Sequence, residues 1–132
     1  MGACYYVMCK VKFRDKEGAI NILKQFISDT SKKYSYNLNE FAKLGIGTET
    51  FDDLMRIFLA GYKNQEVKIY DDVYGLRVYQ NSFNASYGWE MVLIEMFYAL
   101  SPYLEDDSML KIYPDYQYDL FVMENGECVR IE

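Results

Sequence analysis

The apolar positions change period several times along the chain, and each change marks a boundary between predicted strands and helices. Across residues 4 to 13 they alternate. Tyr5, Val7, Cys9, Val11 and Phe13 fall on one side and Tyr6, Met8, Lys10 and Lys12 on the other, which predicts a strand with one buried face. Asp15 then stands at an N-cap position, and Ala19, Ile22, Leu23, Phe26 and Ile27 recur at helical spacing through about Lys33. A polar break, Tyr34-Ser35-Tyr36-Asn37, leads to a short second helix. There Asn37 and Glu40 form a capping-box-like pair ahead of Leu38, Phe41 and Leu44, with Gly45 as the stop. Thr50 caps a third helix with apolar positions at Phe51, Leu54, Met55, Phe58 and Leu59, ended by Gly61.

Residues 67 to 70 and 73 to 83 are rich in Val, Ile, Tyr and Phe and read as a hairpin or strand pair around Asp71-Asp72. Ser86 or Gly88 opens the next helix, whose core stripe is Trp89, Leu93, Met96, Phe97 and Leu100, with Pro102 near its end. The remaining residues read as a meander: 109 to 113, a Pro114-Asp115 turn, 116 to 123, then Asn125-Gly126 and 127 to 131. Asn-Gly predicts a two-residue hairpin there, because both central residues of such a turn take positive φ. The expectation is a single α+β domain over residues 1–132, of order β-α-α-α-β-β-α-β-β-β. Its antiparallel or mixed sheet carries helices packed on one face.

Composition supports one core without linkers, since 51% of the 132 residues are hydrophobic and only two are proline. No apolar run is long enough for a membrane helix, and no basic segment leads into an apolar stretch with a cleavage site. A cytoplasmic protein without membrane contact is therefore expected. Gly2 lies where a myristoyl group attaches, but Tyr6 stands where the lipidation pattern requires Ser or Thr.

The chain has no histidine, and its cysteines, Cys4, Cys9 and Cys128, lack C-x-x-C spacing. That removes the Ser-His-Asp and Cys-His nucleophiles and leaves too few ligands for a structural zinc site. Gly45-Ile46-Gly47-Thr48 lacks the lysine and third glycine of a phosphate loop, so a helix stop explains it. The acid groups Asp52-Asp53, Asp71-Asp72 and Glu105-Asp106-Asp107 fall at a helix start, a turn and a loop. Glu90 and Glu95 flank the Trp89 helix as solvent-facing or capping groups. No metal, cofactor or catalytic residue is expected. One anion site is a candidate, where Ser86, Tyr87 and Gly88 precede the Trp89 helix, although capping explains these residues as well.

Charge is unevenly spread: residues 1–63 carry a net +3 and residues 64–132 a net −9. This balance argues against direct nucleic-acid binding by the whole chain. The local cluster Lys10, Lys12, Arg14 and Lys16 is explained equally by a solvated strand edge. Tyrosine is the unusual component, with 14 residues, several on predicted strands beside acids. Large apolar area with a polar tip suits tyrosine to interfaces, and equally to covering the second face of a sheet. The leading expectation is a non-enzymatic protein-binding module. Its acidic, tyrosine-rich surface would comprise Tyr70, Asp71, Asp72, Tyr74, Tyr79, Tyr113, Asp115, Tyr116, Tyr118 and Asp119 and would face a partner with a basic surface. A sharper form is an inhibitor that mimics nucleic-acid phosphates, which requires Asp71, Asp72, Asp115 and Asp119 to share one face. The alternatives are a small-molecule or anion binder with a pocket between the Trp89 helix and the sheet, and a homodimer through an exposed strand face.

The segment Ser82-Phe83-Asn84-Ala85-Ser86-Tyr87-Gly88-Trp89-Glu90, followed by Ala99-Leu100-Ser101-Pro102-Tyr103-Leu104-Glu105-Asp106-Asp107-Ser108, resembles a recurrent C-terminal pattern of small uncharacterised proteins from low-GC bacteria and their mobile elements. The resemblance implies a bacterial or phage setting and no particular chemistry.

Overall fold

The computed structural model describes residues 2–34, 47–60, 67–86, 88–113 and 119–131. In it the alternating N-terminal segment forms β1 (Gly2–Val11), inside the sheet rather than at its rim. After it come α1 (Lys16–Tyr34), α2 (Phe51–Phe58), β2 (Lys68–Asp71), β3 (Arg77–Ser86) and α3 (Trp89–Leu100). A 3-10 turn (Ser101–Tyr103), β4 (Met109–Tyr113), β5 (Asp119–Glu124) and β6 (Glu127–Arg130) complete the order. The six strands lie in the order β2-β3-β1-β4-β5-β6, and every neighbouring pair is antiparallel. This is the α+β fold and element order expected from the sequence. The helix expected around Leu38 to Leu44 lies outside the described residues.

Strands β1 to β4 with α1 and α3 follow a β-α-β-β-α-β order in which β3 lies between β2 and β1, the split βαβ arrangement. β5 and β6 widen the sheet beyond β4. Residues directly opposite each other share a face, so the register assigns the faces. On the helix side lie Tyr5, Val7, Cys9 and Val11 of β1, Tyr79 and Phe83 of β3, Leu110 and Ile112 of β4, and Phe121 and Met123 of β5, all buried. Ala19, Leu23 and Ile27 of α1, Leu54, Met55 and Phe58 of α2, and Leu93, Met96, Phe97 and Leu100 of α3 complete the core.

The helix ends follow local chemistry. Asp15 accepts the Gly18 N–H at 2.9 Å and starts α1 as expected. Gly18 itself is required by a close approach, because a Cβ there would stand 2.6 Å from the Tyr103 ring. Thr50 and Asp53 form a reciprocal capping box on α2. At the other end of α2 the Asn81 amide donates to the Leu59 carbonyl at 2.7 Å and the Trp89 indole to the Phe58 carbonyl at 3.0 Å. Carbonyls with no partner in their own helix are thereby satisfied.

Two boundaries differ from expectation, and a third resolves a choice the sequence left open. The strand expected from Val73 begins at Arg77, because the Asp72 carboxylate accepts the N–H groups of Tyr74 and Leu76, both at 2.9 Å, and folds the intervening residues into a turn. Phe13 lies beyond β1 and forms an isolated bridge with Leu104. The α3 cap is Gly88 rather than Ser86, which belongs to β3; the cap has φ +91°, a conformation glycine adopts without strain. Asn125 and Gly126 have φ +53° and +78°, the positive pair expected of their two-residue turn.

Candidate functional site

The side of the sheet away from the helices is the first candidate surface. Its central positions are Tyr6, Met8 and Lys10 on β1, opposite Tyr113, Lys111 and Met109 on β4. Val122 on β5 and Val129 on β6 extend the Met109 row, and Leu120 extends the Lys111 row. These residues are half-buried except Tyr113, which is 41% exposed. Toward the other edge the same face carries Lys68 and Tyr70 of β2 and Gln80 of β3. Val78 between Lys10 and Tyr70 is buried. The Tyr6 and Tyr113 rings lie 5.8 Å apart, and the Lys111 ammonium sits 5.6 Å from the Tyr113 ring centre. The result is an apolar band bordered by tyrosines and lysines, with Glu124 and Glu127 at the far corner.

The helix side holds a polar cluster of a different kind. Asp52, in the first turn of α2, accepts the Tyr79 hydroxyl at 2.5 Å and Arg77 at 2.6 Å; Arg77 also donates to Asp71 at 3.2 Å. Partial burial alone would raise the Asp52 carboxyl, but the hydrogen bonds from Arg77 and Tyr79, with the charges of Arg77 and Arg56, hold it below the usual carboxylate range. Burial and the Asp52 carboxylate push the Tyr79 hydroxyl up, so it remains a neutral donor. A cleft of about 230 Å³, lined by Phe13, Lys16, Thr50, Phe51, Asp52, Arg77 and Tyr79, opens beside the cluster. Each charged or hydroxyl group of the triad Asp52, Arg77 and Tyr79 is already engaged by another, so it ties α2 to β3.

The start of α3 is occupied by the protein's own groups. Tyr5 donates to Glu90 at 2.7 Å, and the backbone N–H groups of Trp89 and Gly88 face the same hydroxyl. Burial, followed by the Glu90 bond, pushes the Tyr5 hydroxyl up. Of the anion candidates, Gly88 is thus turned toward Tyr5, Ser86 ends β3, and Tyr87 lies outside the described residues. Glu90, expected to face solvent or cap, bonds to a core tyrosine instead.

The expected interaction surface is divided among several environments. Tyr70 and Tyr113 lie on the open face, 43% and 41% exposed. Tyr74, 81% exposed, is at the tip of the β2–β3 hairpin. Tyr79 is corrected: it is 1% exposed and faces the helices, because Asp52 offers its hydroxyl a buried partner there. Asp71 lies on the helix side with Arg77, whereas Asp72 turns to Lys10, 3.7 Å away, on the open face. Asp119 of β5 pairs with Ile112 and is separated from β2 by three strands. Asp115, Tyr116 and Tyr118 lie outside the described residues. Asp71 and Asp72 therefore do not share a face, and the phosphate-mimic condition is not met. The open face carries Lys10, Lys68 and Lys111 together with Asp72, Glu124 and Glu127, so it is mixed in charge rather than acidic.

Sequence reasoning missed Arg77 and the partnership of Asp52 with Tyr79. The available signal was an arginine and a tyrosine two positions apart on one predicted strand, which places both on the same face. It also missed the Met109, Val122 and Val129 band, although β4 and β5 are apolar at odd and even positions alike.

No helix among the described residues is long and apolar enough to cross a membrane. A split βαβ sheet hosts many unrelated activities, so topology alone assigns none. No family model, curated protein or solved structure matches the chain.

Proposed function

We propose that this chain is a non-enzymatic protein-binding module that docks through the open face of its sheet. Met8, Met109, Val122 and Val129 would form the apolar centre and Tyr6, Tyr113, Lys10 and Lys111 the surround. One observation carries the reading: among the described residues the helices lie on one side of the six-stranded sheet, while an apolar band on the other side is half-exposed. Apolar patches rimmed by polar residues mark interaction surfaces, and tyrosine and methionine are enriched in them. The mixed charge of the face changes the partner's chemistry from the expected basic surface to an apolar ridge flanked by side chains of both signs, with association weakened by salt. The alternative pocket between α3 and the sheet has little support. Tyr5, Val7, Leu93 and Phe97 fill that space and are buried.

The test is capture from a lysate of the source organism by immobilised wild type and a Val122→Asp/Met109→Asp variant, at low and high salt. The reading expects a partner retained at low salt by wild type and lost by the variant, with circular dichroism unchanged. A partner held equally by both, or none at either salt, would overturn it.

A further inference from the structure

Asn125-Gly126 is the one Asn-Gly pair in the 132-residue sequence. The two-residue turn selects it, because both residues take positive φ, +53° and +78°. The same pair is chemically reactive. Glycine has no Cβ to hinder the approach of its own backbone nitrogen to the preceding side chain, so the Gly126 nitrogen can lose its proton and attack Asn125 Cγ. The N–Cγ bond forms, the Cγ–Nδ2 bond breaks, and ammonia leaves with the proton. Water then opens the cyclic imide on either side: cleavage at Cγ gives aspartate, and cleavage at the main-chain carbonyl gives isoaspartate. Both turn residues are exposed, and an open cleft of about 350 Å³ lined by Lys12, Arg14, Glu105, Asp106, Asp107 and Gly126 gives water access to the site.

The fold places one carboxylate against the reacting nitrogen. Asp106 accepts the Gly126 N–H at 2.9 Å. Its loop is fixed to β5 just beyond it: the Asp107 N–H donates to the Met123 carbonyl at 3.0 Å, and the Met123 N–H to the Ser108 carbonyl at 2.8 Å. Asp107 takes φ +76° to make this approach, a conformation uncommon for a residue with a side chain. We infer that Asn125 is this chain's site of deamidation and that Asp106 protects it by holding the Gly126 amide proton in place. The carboxylate also disfavours the amide anion that the attack requires, because two negative charges would then meet at hydrogen-bond distance. Ring closure swings the Asn125–Gly126 peptide out of the orientation imposed by the Glu124 and Glu127 pair, so the hairpin must open first. Isoaspartate adds one carbon to the backbone between β5 and β6, which draws Val129 out of register with Val122. The site stands on its own geometry and does not rest on the docking reading.

Incubation at neutral pH, followed by mass spectrometry of the peptide spanning Asn125, tests the inference. Conversion adds about one dalton, and chromatography separates the two products. In the folded chain Asn125 should convert at least roughly tenfold more slowly than in urea, where local sequence alone sets the rate. Asp106→Ala should raise the folded-state rate about fivefold, the factor that one lost hydrogen bond supplies. Glu105→Ala, on the same loop, should leave it unchanged, and in urea all the chains should convert alike. Asp106→Asn keeps an acceptor oxygen without the charge and should fall between wild type and Asp106→Ala, and thermal melts confirm that each variant is folded. A folded chain that converts as fast as the unfolded one overturns the inference. So does an unchanged rate in both Asp106 variants, or an equal rise in Glu105→Ala, which would assign the protection to the loop rather than to the carboxylate.

Discussion

The two faces of the sheet use the same residue type in opposite ways. On the helix side Tyr5 and Tyr79 are buried, and each hydroxyl donates to a carboxylate brought in by a helix, Glu90 of α3 and Asp52 of α2. On the other side the Tyr6 and Tyr113 rings pack at a tilt with a lysine over Tyr113, and Tyr113 keeps 41% of its surface in water. The difference teaches that a tyrosine on a strand is read by its register partners rather than by its frequency. Buried hydroxyls need a partner, so they cross-link layers, whereas the rings of the other side stay within the sheet's own surface.

Cysteine chemistry gives the widest separation between the faces. Cys4 and Cys9 lie on one strand, exposed and buried respectively, and burial pushes the Cys9 thiol up to about 12. Alkylation monitored by mass spectrometry should modify Cys4 in the native protein. Cys9 should react at least about a thousandfold more slowly, limited by opening of the core. Comparable rates would mean that the helix side is not sealed. Next in size, Phe97→Ala should cost about 3–5 kcal/mol in urea denaturation. Met8→Ala on the open face should cost under about 1 kcal/mol. Equal losses would erase the distinction.

Asp52→Ala leaves Arg77 and Tyr79 without their carboxylate and should cost about 1–3 kcal/mol, a range lowered for the partial exposure of the pair. Because the folded carboxyl is held below its unfolded value, its contribution is present at neutral pH. It is lost as pH falls through the folded-state value. The stability gap between wild type and Asp52→Asn should therefore shrink on acidification, and a gap that widens would reverse the assignment. Smallest of all, Tyr79→Phe should cost about 1 kcal/mol by thermal or urea melts, and Tyr113→Phe should stay within about 0.5 kcal/mol.

Much of the fold was legible because its signals are local. The alternation of β1, the Asp15 and Thr50 caps and the Asn125-Gly126 turn each depend on a few adjacent residues. The strand order was not legible, since β1 pairs with β4 across about a hundred residues of chain and no local pattern encodes that choice. The site was read in part. Tyr70 and Tyr113 were recognisable as surface tyrosines, but Val78 and Tyr79 are adjacent and either could have faced inward. Asp52, contributed by a separate helix, decides between them. The acidity of the surface was overread for a related reason. Counting charges by halves merges acids consumed at caps, turns and ion pairs, such as Asp53, Asp72 and Asp71, with those left on a face.

The position of β1 has a consequence for the nascent chain. The first of the described strands to be synthesised, β1, needs both β3 and β4 to complete its hydrogen bonding, and its last neighbour emerges about a hundred residues later. At synthesis rates of roughly 5–20 residues per second, the apolar side of Tyr5, Val7, Cys9 and Val11 waits on the order of 5–20 s for its second partner. During that interval α1 is the cover at hand, because it follows within a few residues and can be made before any distant strand exists. The N-terminal strand and helix would act as a placeholder for the finished sheet, which makes Ala19, Leu23 and Ile27 guardians of an unfinished core as well as parts of the final one.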